Sequence, residues 1–190
     1  MAHDTMRMKE KEIELWTQTL LTSANKQTAF SAIVRLTQEP LYWHIRKMLL
    51  SHEDTNDVLQ NTFLKAWNGL QNFRGDSKIT TWLYRIATNE TLTFLAQQRM
   101  QNVTSSLDLE ETLLNKLESD AYFSGDEAQY KLQKAMLALP EKQRLVFQMK
   151  YFDDMKYEDM EAILGTSVGA LKASYHHAVK KIEQFLLDEN

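Results

Sequence analysis

Apolar side chains recur every three or four positions along almost the whole chain, the spacing that gives a helix one inward face. Ile13, Leu15, Trp16, Leu20 and Leu21 predict a short amphipathic helix near the start. Phe30, Ile33, Val34 and Thr37 predict a second, closed at Pro40. Proline fixes φ near the helical value and lacks an N–H, so Pro40 suits the first turn of a new helix carrying Leu41, Ile45, Met48 and Leu49. Beyond Ser51 a further helix carries Val58, Leu59, Phe63, Ala66 and Trp67 and ends at Asn68-Gly69. The polar loop Asn72-Phe73-Arg74-Gly75-Asp76-Ser77 leads into a long helix from about Thr80 to Arg99, with Leu83, Ile86, Ala87 and Phe94 inward.

Residues 101–129 change character. They are rich in Ser, Thr, Asp and Glu, and Leu107, Leu109, Leu113, Leu114 and Leu117 form at best a marginal helix, so the segment reads as a linker with transient structure. Helical periodicity resumes at Tyr130 with Leu132, Ala135, Met136 and Leu139. Pro140 then opens a helix burying Leu145, Val146, Met149 and Phe152. Tyr157, Met160, Ile163 and Leu164 mark a third helix, ended by Gly165, which tolerates the left-handed backbone of a tight turn. Ser167 is an N-cap for the last helix, whose inward stripe is Val168, Leu171, Tyr175, Ala178, Ile182 and Phe185.

Composition narrows the class. Five glycines and two prolines in 190 residues are too few for the turns of a β fold. The expectation is an all-α protein: an N-terminal extension (1–25), a helical domain (26–100), an acidic linker (101–129) and a second small helical domain (130–187). Without cysteine, a disulfide framework and thiolate metal sites are excluded, which favours a reducing compartment such as the cytoplasm. The acidic first residues hold no apolar signal-peptide core, and no run of 18 apolar residues predicts membrane insertion.

The net charge of −4 argues at first against a nucleic-acid partner. Its distribution changes that reading. Residues 101–129 hold one basic and seven acidic side chains, whereas the segments 25–100 and 130–187 are both mildly basic.

The two helices joined at Gly165-Thr166-Ser167 fit a helix-turn-helix spanning roughly Tyr157 to Lys181. Subtracting the inward stripe leaves Ala170, Lys172, Ala173, Ser174, His176, His177, Lys180 and Lys181 on the outer face, and no acid stands between Glu161 and Glu183. Small residues near the N-terminal end, with Ser167 at the cap, allow entry into a major groove, and the lysines suit phosphates. A plain helical hairpin with a solvated face is the alternative. His176 and His177 point about 100° apart on a helix, which disfavours a shared metal. No metal or cofactor is expected, and no phosphate loop or nucleophile triad points to an enzyme.

Three motifs in order resemble sigma factors of the sigma-70 family. Leu139-Pro140-Glu141-Lys142-Gln143-Arg144, Tyr157-Glu158-Asp159-Met160 and Leu164-Gly165-Thr166-Ser167-Val168-Gly169 resemble their C-terminal domain. Asp57 to Trp67 (DVLQNTFLKAW) is similar to their polymerase-binding helix. Phe73-Arg74-Gly75-Asp76-Ser77, with Thr81 to Asn89 (TWLYRIATN), is similar to their promoter-melting loop and helix. The two-domain layout points to the extracytoplasmic function group. The resemblance implies a bacterial transcription initiation subunit. Its first domain would dock on the β′ clamp helices of core RNA polymerase through Asp57, Gln60, Asn61, Phe63 and Leu64, and capture an unpaired base of the −10 element with Lys78, Thr81, Trp82, Tyr84, Arg85 and Asn89. Its second domain would read the −35 element of promoter DNA. An anti-sigma factor, often membrane-anchored in this group, is a further partner implied.

Physical chemistry is compatible with those roles. Trp82 and Tyr84 offer stacking surface, Asn89 offers a donor and an acceptor for a base edge, and Lys78 and Arg85 suit a phosphate backbone. The bland alternatives are a core tryptophan and a solvated polar face. Lys156 stands where the family usually caps with Ser or Thr, and Ser174, His177 and Val179 replace frequent arginines, so the recognition helix is weakly cationic. A flexible linker of that length spans about 30 Å, while promoter elements two helical turns apart are separated by about 70 Å. Rival readings are a dimeric helix-turn-helix regulator acting without polymerase and a helical adaptor with no DNA role.

Overall fold

The computed structural model describes residues 2–102, 109–120, 122 and 126–188. Among them the regular elements are helical throughout, as the periodicity predicts. They are α1 (Ala2–Thr22), α2 (Lys26–Leu49), α3 (His52–Gly69), α4 (Ile79–Asn102), α5 (Leu109–Ser119), α6 (Glu127–Leu137), α7 (Glu141–Tyr151), α8 (Tyr157–Leu164) and α9 (Val168–Asp188), with a 3₁₀ turn at Leu70–Asn72.

The N-terminal helix is longer than expected and turned differently. Thr17 and Leu20 are buried and Ile13 and Trp16 half-buried against α2, whereas Leu15 and Leu21 are exposed. The stripe 13–16–17–20 is the one that keeps helical phase. Pro40 does not end a helix: α2 runs through it for 24 residues. Phe30, Ile33, Thr37, Leu41, Ile45 and Met48 are all buried at unbroken spacings of three and four, so packing holds one axis across the lost N–H. Leu50 then adopts a left-handed backbone (φ 54°) that caps α2, its N–H donating to the Arg46 carbonyl. That conformation costs about 1–2 kcal/mol, and full burial of the leucine side chain, worth about 1.5–3 kcal/mol, offsets it. Ser51 caps α3, its Oγ accepting from the Asp54 N–H at 3.3 Å.

Part of the acidic segment is docked rather than transient. Leu109, Leu113 and Leu117, one face of α5 at i, i+4 and i+8, are buried in the core of the first half. Lys116 pairs with Asp54 of α3 at 2.7 Å, and Arg46 of α2 pairs with Asp120 just beyond α5. Glu111 and Glu118 are exposed on the other side of α5, so composition hid a three-leucine stripe. Leu107 lies outside the described residues.

In the second half, α9 packs along α6, α7 and α8. Leu145, Val146, Phe147, Gln148 and Met149 are all buried, five consecutive residues that cover every side of α7. Phe147 packs with Met136, Leu139, Ala178 and Ile182 of its own half. Leu145, Val146 and Met149 join the cluster that contains Ile33, Leu41 and Ile45 of α2. One core therefore continues from the first half into the second.

Leu113→Ala is expected to lower the stability of the chain by about 2–5 kcal/mol, read from the denaturant midpoint. An unchanged midpoint would mean that α5 is not docked in solution.

Candidate nucleic-acid interface

The turn between α8 and α9 is built as the sequence predicts. Gly165 takes φ 64° and its N–H donates to the Glu161 carbonyl at 2.8 Å. Ser167 starts α9, its Oγ accepting from the Ala170 N–H at 3.4 Å. Lys156 makes no side-chain cap for α8. Leu171, Ala178 and Ile182 are buried, and Val168, Tyr175 and Phe185 half-buried. Ser167, Ala170, Lys172, Ala173, His176, His177, Lys180 and Lys181 are exposed, and only Ser174 of the expected outer face is half-buried. The His176 and His177 rings diverge, with centroids 6.1 Å apart and planes at 57°. Lys172 Nζ lies 5.6 Å from the ring centroid of Tyr157, whose phenol is held above its ordinary range by burial, with Tyr175 adding to it. The face is thus open, acid-free and about as basic as its sequence states.

On α4 the residues singled out for single-stranded DNA separate into two rows. Lys78, at the entry to α4, and Trp82, Arg85 and Asn89 follow at i, i+4, i+7 and i+11; all are exposed except Trp82, which is half-buried. The Trp82 ring lies 5.1 Å from the Phe73 ring at 40°. It also covers Gly69 so closely that an added Cβ would meet the indole at 3.4 Å. Its inner face is core and its outer edge is accessible, so both readings of this tryptophan apply to different parts of one ring. The polar loop before α4 turns at Gly75 (φ 81°), where Leu21 of α1 comes within 3.1 Å of the position a Cβ would take.

Thr81 and Tyr84 lie elsewhere, on a second row with Thr88. Thr81 is buried and donates to Asp159 Oδ1 of α8 at 3.0 Å. Tyr84 is half-buried with its ring 5.0 Å from that of His44, and Thr88 Oγ1 is 3.0 Å from His44 Nε2. Burial, then the Asp153 carboxylate, raises the Tyr84 pKa well above the ordinary phenol range, so this ring stays neutral. The spacing 78–82–85–89 against 81–84–88 was present in the sequence, but nothing there showed which row the second half would cover.

On α3, Asp57, Gln60, Asn61 and Leu64 are exposed and Phe63 is half-buried. Leu64 (54% exposed) is joined by Trp67 (42%), expected inward, which leans on Phe30 with ring centroids 5.4 Å apart. The face combines an acid, two amides and two large apolar side chains, a surface suited to a protein partner.

Comparisons agree with both halves. Residues 33–100 match the family model of Sigma-70 region 2, and residues 129–182 match that of Sigma-70, region 4. The ECF RNA polymerase sigma factor SigW of Bacillus subtilis is 28% identical over 172 residues, covering 85% of this chain and 91% of that protein. The ECF RNA polymerase sigma-E factor of Salmonella typhimurium is 28% identical over 187 residues, covering 90% and 94%. Among solved structures, CnrH in complex with the cytosolic domain of CnrY has a TM-score of 0.66 at 23% identity, covering 94% of this chain and 98% of that one. The sigma factor RpoE in complex with the anti-sigma factor NepR, from Bartonella quintana, has a TM-score of 0.63 at 22% identity, covering 85% and 98%. These structural likenesses show a shared fold.

Two glycines at the turn predict opposite effects. Gly165→Ala must hold an alanine at positive φ and is expected to destabilise by about 1 kcal/mol. Gly169→Ala sits in helical backbone with nothing within 4 Å of the new methyl, and is expected to be neutral or stabilising by up to about 1 kcal/mol. Thermal denaturation of the two variants compares them directly.

Proposed function

The chain belongs to the sigma-70 family, with extracytoplasmic function factors among its relatives, and we propose that it is a sigma factor that binds core RNA polymerase and directs promoter recognition and transcription initiation. The observation that carries this reading is the pairing, on one chain, of an acid-free exposed face on α9 with the exposed row Lys78–Trp82–Arg85–Asn89 on α4. A dimeric helix-turn-helix regulator would use the first and have no use for the second.

The roles follow from the chemistry of each face. Residues 130–187 read the duplex −35 element. Ser167, Ala170, Ala173 and Ser174 allow close approach to the groove, Lys172 and His176 reach base edges, and Lys180 and Lys181 meet phosphates. Residues 26–100 engage the melted −10 element. Lys78 and Arg85 follow the backbone, the free edge of Trp82 supports an unstacked base, and Asn89 supplies a donor and an acceptor to its edge. Thr81 and Tyr84 reach DNA only once the second half has moved away. On α3, Leu64 and Trp67 anchor the polymerase clamp, with Asp57, Gln60 and Asn61 around them and Phe63 as partly buried support.

The role is non-enzymatic and belongs in the bacterial cytoplasm, where core polymerase and the chromosome are. RpoE of Bartonella quintana is held by an anti-sigma factor, and CnrH by the cytosolic domain of CnrY. A partner of the same kind, in some systems tethered to a membrane, is proposed for this chain. Among the described residues, no helix is long and apolar enough to cross a membrane.

In-vitro transcription with bacterial core polymerase tests the reading: the chain is expected to give promoter-dependent initiation from a randomised −35/−10 library. Initiation from no member of that library would sink it. Leu64→Asp is expected to weaken core binding at least about tenfold by placing a charge at the apolar anchor, measured by titrating labelled chain with core enzyme. Lys180→Ala is expected to lower holoenzyme affinity for all promoters alike and to reduce the salt slope by about 1.

A further inference from the structure

The loop that leads into α4 has two buried ends and an open middle. Phe73 is 8% exposed and Ile79 2%, while Arg74, Gly75, Asp76, Ser77 and Lys78 between them are all exposed. An exposed run of this kind carries little restraint of its own, and the glycine at φ 81° widens the choice of backbone further. What meets this middle comes from α1. Leu21 Cδ1 lies 3.1 Å from the position a Cβ at Gly75 would take. Among the described residues it is the one atom within 4 Å of that position, the glycine's chain neighbours aside.

Leu21 is placed to act as a prop. It stands off the inward stripe of α1, 39% exposed, beside Leu20, which is buried where α1 packs on α2. The turn that follows is closed by hydrogen bonds. The Ser23 N–H donates to the Thr19 carbonyl at 2.9 Å, the Asn25 N–H to Ser23 Oγ at 3.0 Å, and the Thr28 N–H to Asn25 Oδ1 at 3.3 Å. The last turn of α1 is therefore fixed from both sides. It precedes residues 33–100, the stretch that matches Sigma-70 region 2.

We propose that Leu21 is a positioning residue for the single-strand face: through Gly75 it holds residues 74–78 in one place, and so sets how stringently that face selects the unpaired base of the −10 element. The effect on promoter choice rests on the sigma-factor reading; the bracing of the loop does not.

Two links carry the effect from Leu21 to the face. The Lys78 carbonyl accepts from the Trp82 N–H at 3.1 Å, so the first turn of α4 begins where the loop ends. A loop free to shift at Gly75 moves Lys78, the first residue of the exposed row. At the other end, the Phe73 ring lies 5.1 Å from the Trp82 ring, so the same loop flanks the indole proposed to support the base. Arg74, Asp76 and Ser77 stand between these two contacts with donors and acceptors of their own. Discrimination between bases depends on hydrogen-bond geometry, and a wall displaced by about 1 Å loses much of it.

Amide hydrogen exchange of the free chain reads the bracing. In Leu21→Ala the amides of residues 74–78 are expected to exchange about tenfold faster than in the parent, with α3 and the centre of α4 unchanged. Holoenzyme made with each variant then initiates from the randomised −35/−10 library, and the templates it uses are sequenced. Leu21→Ala is expected to lower the ratio of preferred to other bases in the −10 element about fivefold. Preference in the −35 element and affinity for core polymerase stay as in the parent. A loss of folding stability alone would lower all initiation together and leave both preferences sharp. Leu21→Met, with a side chain of similar reach, is expected to recover most of the −10 preference. Leu15→Ala, at an exposed position elsewhere on α1, is expected to behave as the parent.

Loop amides that exchange at the parent rate in Leu21→Ala overturn the proposal, as does a −10 preference as sharp as the parent's despite a loosened loop. If Leu21→Ala unfolds α1, seen as lost protection over residues 13–20, Leu21→Val, one carbon shorter than leucine, is read by the same two measurements. If the parent initiates from no member of the library, the sigma-factor reading fails and takes the promoter effect with it, while loop exchange alone decides the brace.

Discussion

The structure depends on α7 being buried on every side. An ordinary surface helix covers one stripe, and an 11-residue helix has little length with which to cover more. Here α7 gives Phe147 to the core of its own half, and Leu145, Val146 and Met149 to a cluster shared with α2. Gln148 occupies the remaining sector and must make its hydrogen bond across the seam, which it does on the His44 carbonyl. Once α7 is placed, α8 comes to lie over α4, Thr81 finds Asp159, and the outer face of α9 is turned to solvent. The covering of Thr81 and Tyr84 goes with that placement.

Local rules were legible where one element decides its own outcome. The stripe of α9, the left-handed turn at Gly165 and the cap at Ser167 need only periodicity and backbone sterics, and all three stand as read. The illegible parts needed a second element. Pro40 would end an isolated helix, but here a stripe packed against α1, α3 and α4 carries the axis through it. The α5 leucines were visible, yet their burial depends on a groove that sequence does not display. Trp67 sits at an inward-looking position and is nevertheless partly open, leaning on Phe30 while Ala66 and Thr62 on the same helix are fully buried. Likewise, Thr81 and Tyr84 differ from Trp82 and Arg85 only in which row of α4 the second half covers.

The two proposed readout faces differ in how they are presented. The α9 face needs nothing but rigid backbone beneath it, and it is ready as it stands. The α4 face is half ready, since Lys78, Trp82, Arg85 and Asn89 are presented while Tyr84 is engaged with His44. In this arrangement the proposed duplex-reading face is fully presented, while part of the proposed single-strand face is covered.

That presentation bears on why the recognition helix is so weakly charged. More lysines or arginines on α9 would raise affinity for any DNA, specific or not, because phosphate contacts carry no sequence information. The α9 face is already exposed, so such charges would hold the chain on DNA without regard to sequence. Ser174, His177 and the three lysines give instead a face with little affinity for DNA in general. Weak charge on α9 therefore fits the proposed role, in which tight promoter binding waits on core polymerase.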